Sequence, residues 1–360
     1  MDAAPEPRAR KRGSQIDPPN RFERTRLEAD GAHADPDEAP PPAWRTVPTK
    51  FVPDHSRSLI VENDSPDIGF RYSINPYRGC EHGCSYCYAR PGHEYLGLNA
   101  GLDFETVVLV KERAPELLAA ELARPSWRCE PINISGVTDC YQPAEARYRL
   151  TRGCLEVMLE ARQPATLVTK NALILRDLEL LSAMAGRNLV HVHLSINTLD
   201  AELARTLEPR TTTPAGRLRA VRRLADAGVP VGVIVAPIIP GLNDKDIPAV
   251  LAAAAEAGAM RAGYVMLRLP WSVKPVFLEW LHRERPLAAG KVEARIRDVR
   301  GGRLNSTEFG DRMRGRGIAA DQIEQMFRVF ASRHGLDRPL PALDCSAFRP
   351  PARDGQMRLF

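Results

Sequence analysis

Six short apolar runs alternate with amphipathic helical segments through the middle of this chain of 360 residues. The runs are almost continuously apolar, which is typical of parallel strands that are buried on both faces. Right-handed crossovers between such strands predict an α/β fold, either a partial (β/α)6 barrel or a doubly wound sheet. We place strands at residues 70–74, 132–137, 165–169, 189–196, 229–237 and 263–269, and helices at 114–124, 152–162, 177–185, 214–227 and 245–257.

The two flanks of this region have a different composition. Residues 1–50 contain nine of the 31 prolines and no lasting periodicity, which predicts a disordered or loosely docked basic extension. We expect the barrel over residues 51–280 and an Arg-rich helical extension packed on it over 281–336. Residues 337–360 are again rich in proline, and we expect a flexible tail there.

Cysteine usage and the N-terminus indicate the compartment. Seven cysteines, an odd number with three of them clustered, favour a reducing environment over a disulfide framework. The N-terminus is basic but lacks the apolar stretch of a secretory signal, and no run approaches the roughly 20 apolar residues of a membrane span. We therefore expect a cytoplasmic protein.

The net charge of +5 is mild, but the basic residues are clustered. Seven lie between Arg8 and Arg26 against two acidic residues, and eight lie between Lys291 and Arg316 against four. Basic patches of this kind favour phosphate backbones. A solvated Arg-rich surface explains the same pattern equally well.

Three cysteines within eight residues, Cys80, Cys84 and Cys87, carry the strongest chemical signal. Their C-x3-C-x2-C spacing can hold three irons of a [4Fe–4S] cube and leave the fourth iron free for a substrate or cofactor. The alternative is a zinc site with His82 or His93 as the fourth ligand. Structural zinc sites usually draw their ligands as two separated pairs, so the single tight triplet favours the cluster.

Tyr86 directly precedes the third cysteine, and C-x3-C-x-aromatic-C resembles the motif of the radical S-adenosylmethionine (SAM) superfamily. The amino-acid sequence of residues 75–105, 138–145 and 266–273 is similar to that of one group of bacterial radical SAM proteins. That group is labelled photolyase-like and is related to spore photoproduct lyase, a DNA repair enzyme that reverses a thymine dimer. The resemblance covers about residues 51–330.

This resemblance implies a partial barrel, which decides between the two α/β folds, and two cofactors. The [4Fe–4S] cluster would hold the amino and carboxylate groups of SAM on its open iron. An electron from a donor such as a flavodoxin or ferredoxin would then cleave SAM to methionine and a 5′-deoxyadenosyl radical, which abstracts hydrogen from the substrate.

The resemblance also implies a set of residues around the cofactors. Tyr86 would place its ring beside the cluster, and the loop after the second strand would contact the ammonium of SAM. Lys170 resembles one member of a carboxylate-binding pair, and Arg210 would reach the ribose or carboxylate. The full set of expected cofactor-binding residues is Tyr86, Ser135, Thr138, Asp139, Lys170, Ser195, Asn197 and Arg210.

Strict alternation along the fourth strand places His193, Ser195 and Asn197 on one face, which we expect to point into the barrel. Residues 235–237 and 240–244 occupy the strand-five position that packs on adenine in the superfamily.

This sequence departs from that of spore photoproduct lyases at the residue that returns a hydrogen atom to the product radical. Spore photoproduct lyases carry a cysteine just after strand two, and the corresponding position here is Gly136. Cys140 would reach the site only if the loop turns back. His93, with Glu94 beside it, and Tyr141 are the alternative polar residues near the substrate.

Residues 356–360, Gln-Met-Arg-Leu-Phe, resemble the motif that binds the bacterial sliding clamp. A flexible tail would present its apolar side chains to a groove on the clamp, with the glutamine amide supplying hydrogen bonds.

Three interpretations remain open at this point. The first is a radical SAM enzyme that acts on nucleic acid, above all DNA, in repair or modification. The second is a radical SAM enzyme that modifies a protein or small metabolite. The third is a non-catalytic adaptor for the clamp or nucleic acid, in which the cluster is structural.

Overall fold

The computed structural model describes residues 8–23 and 44–351. Its strands are β1 (Arg8–Ala9), β2 (Trp44–Arg45), β3 (Lys50–Pro53), β4 (Val61–Glu62), β5 (Tyr72–Ile74), β6 (Tyr77–Arg78), β7 (Val107–Val110), β8 (Ile132–Ile134), β9 (Ala165–Thr169), β10 (Val190–Ser195), β11 (Val231–Ile238) and β12 (Arg261–Met266). Its α-helices are α1 (Leu102–Thr106), α2 (Ala114–Leu122), α3 (Glu145–Tyr148), α4 (Leu150–Ala161), α5 (Leu178–Ala185), α6 (Ala201–Leu207), α7 (Pro214–Asp226), α8 (Ile247–Glu256), α9 (Val273–Glu284), α10 (Pro286–Asp298), α11 (Asp311–Arg314) and α12 (Ile318–Arg333).

The main sheet has the spatial order β12-β11-β10-β9-β8-β5-β4. From β5 to β12 the neighbouring strands are parallel, and β4 is an antiparallel edge strand on β5. The parallel strands follow one another in space as they do along the chain, whereas a doubly wound sheet reverses its order at a switch point. The predicted α/β fold with a partial (β/α)6 barrel is therefore confirmed.

The two faces of the barrel strands differ in polarity. In β10, Val190, Val192 and Leu194 belong to the large apolar core that the surrounding helices share. The alternate residues, His191 and His193, face the opposite way and are only half-buried. The apolar face is the larger source of stability, since each fully buried aliphatic side chain contributes about 1.5–3 kcal/mol.

The helix boundaries follow capping chemistry that the sequence contains. The Thr213 side chain accepts a hydrogen bond from the Gly216 amide at the start of α7, directly before Pro214 at the first helical position. Gly228 and Gly258 follow α7 and α8 with φ of +75° and +93°, in the left-handed region that glycine adopts without strain.

A smaller sheet, in the order β3-β7-β6, stands beside the main one. It contains β3 and β7 as a parallel pair, with β6 antiparallel to β7. Since β6 ends two residues before Cys80, this sheet fixes the start of the loop that carries the three cysteines.

Both flanks are more closely docked than their composition indicates. Residues 8–23 lie in the extension for which we expected a disordered or loosely docked chain, but Ser14 and Asn20 are buried. In the expected flexible tail, the Asp344 amide donates to the Asn188 carbonyl at 2.9 Å and the Arg349 amide to the Ala161 carbonyl at 2.9 Å. Polar contacts with distant parts of the chain order both segments, and local periodicity does not reveal such contacts.

Among the residues that the structure describes, no helix has the length and apolar character needed to cross a membrane.

Candidate functional site

The three motif cysteines lie on a loop at the carboxyl end of β5, and all three are free thiols. Cys80 and Cys84 are buried and Cys87 is partly exposed. Burial raises the pKa of the Cys84 thiol, and nearby acidic groups, which include Cys87 and Cys80, raise it further. Burial and Cys80 likewise raise the pKa of Cys87. Cys87 packs both against the apolar cluster that contains Cys84 and against the one that contains Cys80, so the three residues lie in one region.

A fully buried arginine holds this loop in shape. The Arg90 guanidinium donates to the Cys84 carbonyl at 2.8 and 3.1 Å, to the Ala100 and Gly101 carbonyls, and to Glu105 at 2.5 Å. Every one of these bonds is made to backbone or to another side chain and none to a thiol. The loop is therefore preformed while the sulfur atoms stay available as ligands.

The two histidines proposed as a fourth zinc ligand have different surroundings. Burial lowers the pKa of His82, but Asp139 and Cys80 outweigh burial and raise the pKa to about 9. The Nε2 atom of His93 lies 2.9 Å from the Val107 carbonyl oxygen. His82 lies 3.4 Å from Asp139 through Nδ1 and 3.2 Å from the Asn171 amide through Nε2. Among the described residues, no group of three His, Cys, Asp or Glu side chains is placed to hold a single metal ion. Three thiols on one short loop fit a cluster, in which each cysteine binds its own iron.

The loop after β8 uses most of its polar groups for its own fold. Ser135, at φ of +84°, accepts a hydrogen bond from the Cys140 amide at 2.6 Å. The Thr138 hydroxyl donates to the Tyr77 carbonyl at 2.9 Å. We expected both side chains to face SAM, but these contacts direct them into the protein.

Asp139 joins this loop to the rest of the site. Its carboxylate accepts hydrogen bonds from the Thr169 hydroxyl at 2.7 Å and the Lys170 amide at 2.8 Å. Burial raises its pKa, but the charge and hydrogen bond of His82 and the contacts with Lys170 outweigh burial and lower the pKa to about 2. Asp139 is therefore an anionic anchor between β9 and the cysteine loop.

Lys170, Ser195 and Asn197 lie at the carboxyl ends of neighbouring strands, as expected. The Lys170 amine is close enough to Cys84, Glu208 and Asp139 for them to raise its pKa against the opposing effect of burial. The Ser195 hydroxyl donates to the Ala236 carbonyl at 3.1 Å, so it already has a protein partner.

Asn197 stands out because it is 1% exposed and neither its Oδ1 nor its Nδ2 atom has a hydrogen-bond partner in the described structure. An unpaired buried amide costs about 1–3 kcal/mol, and native proteins rarely retain one without a reason. An amide with a free donor and a free acceptor, one strand away from Lys170, fits a polar cofactor such as SAM.

A buried triad connects the cysteine loop to β10. The Tyr86 hydroxyl donates to Glu208, and the Arg217 guanidinium donates both to Glu208 and to the Ser195 carbonyl, the latter at 2.8 Å. Burial raises the pKa of Glu208, but Arg217 and Lys170 outweigh that effect and lower it. We expected Tyr86 to lie beside the cofactor, and its hydroxyl anchors the loop to the barrel. Glu208 and Arg217 were missed because an ordinary helix-flanking Glu and Arg give no sequence signal.

Arg210 contacts two residues of the cysteine loop. Its Nη2 atom lies 3.1 Å from Glu81, the residue after Cys80, and its amide donates to the His82 carbonyl at 3.3 Å. We expected Arg210 to contact the ribose or carboxylate of SAM, but its nearest charged partner is this glutamate.

The residues expected near the substrate lie in the protein interior. Cys140 is fully buried in the apolar core, and its carbonyl is held by Thr151. The Tyr141 hydroxyl donates to Asp177 at 3.1 Å, and the His93 ring packs on Phe104. The catalytic role of Cys140, Tyr141 and His93 stays a prediction, and in this structure the three side chains contact the interior, because spacing identifies the loop but not the side of it that a residue faces.

Tyr88 is a largely exposed residue beside the cysteine motif that the sequence did not single out. Its ring is 47% exposed, and its hydroxyl donates to the Gly136 carbonyl at 2.7 Å. The Arg268 guanidinium lies 5.4 Å from the ring centre. Tyr88 follows Cys87 directly, and that adjacency was the available signal.

Comparisons with known proteins agree with this geometry. A family model described as the radical SAM superfamily matches residues 74–254. An uncharacterized protein of Mycobacterium tuberculosis is 41% identical over 221 residues, which are 61% of this chain and 65% of that protein. An uncharacterized protein of Methanocaldococcus jannaschii is 31% identical over 178 residues, which are 49% of this chain and 64% of that protein. The chain thus spans slightly less than two thirds of the length of these relatives.

Solved structures of spore photoproduct lyase share the fold. A mutant with the dinucleoside spore photoproduct has a TM-score of 0.57 at 17% identity and covers 81% of this chain and 80% of that one. A second mutant, with bound AdoMet and the dinucleoside, has a TM-score of 0.53 at the same identity and the same coverage of both chains.

Proposed function

The chain belongs to the radical SAM superfamily, and from this membership we propose that it is an enzyme that acts on DNA, in repair or modification. The family model covers residues 74–254, which include the cysteine loop and the strand ends around it. The observation that carries the proposal is the convergence of three free thiols next to Lys170 and an unpaired, buried Asn197. A bound [4Fe–4S] cluster would supply the electron that cleaves SAM to methionine and a 5′-deoxyadenosyl radical.

The chain's own residues would bind, orient and seal the cofactors. Cys80, Cys84 and Cys87 would hold the cluster on the loop that Arg90 keeps in shape. Lys170 would pair with the carboxylate of SAM, because a cationic amine near the cluster is the natural partner of that group. Asn197 would give its unpaired donor and acceptor to the polar part of SAM.

DNA is the proposed substrate class for two reasons. The solved proteins that share this fold include spore photoproduct lyase with a dinucleoside lesion. Exposed members of the two basic clusters, among them Arg10, Lys11, Arg297 and Arg303, supply positive charge of the kind that a phosphate backbone needs. The sliding-clamp motif at residues 356–360 lies outside the described residues, and we propose it as a means of recruitment to DNA. We further propose a cytoplasmic location, with a flavodoxin or ferredoxin as electron donor.

Anaerobic reconstitution tests the chemistry. We expect about four irons per chain, an electron paramagnetic resonance signal that changes with SAM, and release of 5′-deoxyadenosine with reductant. Replacing Cys80, Cys84 and Cys87 with alanine should abolish all three. The matched control is Cys129→Ala, outside the loop, which should abolish none.

Full iron loading of the triple variant would overturn the cluster assignment. A loaded wild-type protein that binds SAM but never forms 5′-deoxyadenosine would favour the adaptor interpretation. Deuterium transfer into 5′-deoxyadenosine from labelled damaged DNA would identify the substrate class, whereas transfer only from a protein or metabolite would refute DNA.

A further inference from the structure

A cavity of about 600 Å³ opens after the end of β12, outside the cysteine loop. It is lined by two segments, residues 269–274 at the start of α9 and residues 297–307 after α10. The Leu269 amide donates to the Asn305 side chain at 3.0 Å and joins the two walls. A volume of this size suits a ligand as large as a nucleotide.

The cavity carries positive charge without a compensating acid. Lys274, Arg297 and Arg303 belong to its lining, all three are exposed, and no aspartate or glutamate is part of the lining. Neighbouring arginines are committed elsewhere. Arg312 pairs with Asp67 at 2.5 Å, and Arg300 donates to backbone carbonyls that include that of Leu267.

Trp271 stands at the mouth of this cavity with 60% of its surface exposed. Its φ is +44°, in the left-handed region that a bulky L-residue rarely adopts. Strain of this kind clusters at functional sites, because folding stability alone would favour relaxing it. The backbone here holds a large indole outward instead of burying it.

Further exposed aromatic side chains lie beside Trp271, and the lining residues Leu269 and Leu304 share an apolar cluster with Cys84 of the cysteine loop. The Arg21 guanidinium lies 4.4 Å from the Trp271 ring centre and pairs with Glu94 at 2.6 Å. The rings of Phe22 and Tyr95, 55% and 72% exposed, are 4.8 Å apart beside it. We call Arg21, Phe22, Tyr95 and Trp271 the aromatic rim.

We propose that the aromatic rim and the adjacent cavity bind an unpaired strand of DNA. Trp271 stacks on a base, and Lys274, Arg297 and Arg303 bind the flanking phosphates. This inference rests on the proposed function, since the strand would present its nucleotide to the nearby cofactor site. Exposed rings interleaved with cations are the usual means of binding single strands, because every base has a face that can stack.

Charge and shape favour this occupant over the alternatives. A base inside a duplex stacks on its neighbours and cannot offer its face to Trp271, so duplex DNA would have to release a nucleotide first. An acidic peptide would satisfy Lys274, Arg297 and Arg303 but would make no use of the protruding rings.

Fluorescence anisotropy on the cluster-loaded full chain tests the proposal. The probe is a labelled 12-nucleotide oligothymidine, compared with the same strand in a duplex, an equal-length RNA, an acidic peptide and anionic vesicles. We expect the single DNA strand to bind best. Trp271→Ala should weaken binding about tenfold or more, whereas Trp271→Phe should retain most of it.

The salt dependence tests the phosphate contacts. The double variant Lys274→Ala/Arg303→Ala should reduce the slope of log affinity against log salt by about 1.4, since each single-strand phosphate contact contributes roughly 0.7. The matched control is Arg328→Ala/Arg333→Ala on α12, which removes the same charge from exposed positions and should change neither binding nor SAM cleavage.

The outcomes separate this inference from the proposed function. If the wild type forms 5′-deoxyadenosine but does not bind the strand, the inference is overturned and the proposed function is not. The same holds if Trp271→Ala binds the strand as well as the wild type does. Binding that depends on Trp271 without SAM cleavage upholds the inference and refutes the enzyme. Tighter binding of the duplex, RNA, peptide or vesicles also overturns it.

Discussion

Gly13 lies directly against Gly83 of the cysteine loop, so closely that a Cβ atom on Gly13 would be 1.6 Å from the Gly83 carbonyl oxygen. One buried carboxylate organises this contact. Glu105 accepts hydrogen bonds from the Gly13 amide at 2.9 Å and the Ser14 amide at 2.8 Å, and it also accepts one from Arg90. The N-terminal segment therefore supports the loop between its first two cysteines.

Gly13→Ala should displace this segment from the loop or shift the loop itself. Overpacking of this kind typically costs about 1–3 kcal/mol, and here the methyl group would meet backbone that cannot rotate away. We expect a lower melting temperature and a lower iron content per chain after reconstitution. Gly69→Ala is the matched control, because a Cβ at Gly69 meets nothing within 4 Å. If Gly13→Ala binds iron and melts as the wild type does, the segment has no supporting role.

The sequence reveals the barrel better than it reveals this contact. Strand β9 falls at residues 165–169, as predicted, because five apolar or β-branched residues between turn signals identify a buried strand locally. The docking of Gly13 depends on Glu105, 92 positions away, and no periodicity connects the two. Proline content predicts a loosely docked segment there, but polar contacts hold residues 8–23, and Arg8–Ala9 even pairs with Trp44–Arg45 in a two-stranded sheet.

The sequence likewise predicts some residues of the candidate site and not others. Spacing locates the three cysteines, and alternation along β10 correctly separates Ser195 from the apolar face. Spacing does not reveal that Cys140 lies in the core, where the Thr151 hydroxyl donates to its carbonyl. Tyr86 was located but its partner Glu208 was not, since the two are 122 positions apart.

Asn197→Leu should separate cofactor binding from folding. The unpaired amide costs stability in the SAM-free protein, so a leucine of similar volume should leave the melting temperature unchanged or higher. SAM affinity should fall by about 1.5–3 kcal/mol, as measured by titration of the cluster-loaded protein, because hydrogen bonds to a charged ligand are lost. Iron content should not change.

Asn243→Leu is the contrasting variant. The Asn243 amide donates to the Asn197 and Pro237 carbonyls at 2.8 and 3.0 Å, so its loss should lower the melting temperature. Normal SAM binding by Asn197→Leu would show that this amide does not contact the cofactor.

His193 should make stability depend on pH. Burial, helped by His191 and Arg261, lowers its pKa from about 6.5 to about 4. Because the folded-state pKa lies below the unfolded value, the unfolded chain binds more protons between these limits. The stabilising effect of the neutral ring is thus fully present above pH 6.5 and is lost as the pH falls towards 4, by about 1–3 kcal/mol. Urea unfolding at pH 7.5 and pH 4.5 measures the difference.

His193→Gln should remove part of this pH dependence, since the amide does not titrate. Equal slopes of stability against pH in the wild type and in His193→Gln would contradict a lowered pKa of His193.

The tail at residues 356–360 should bind the bacterial sliding clamp. Its affinity should be modest, because a segment of five residues buries little surface. In calorimetry with a peptide of residues 345–360, replacing Leu359 and Phe360 with alanine should abolish binding, while the same change in the full chain should leave SAM cleavage intact. If the tail instead packs on its own barrel, the peptide will not bind the clamp in either form, and truncation after residue 355 will lower the melting temperature.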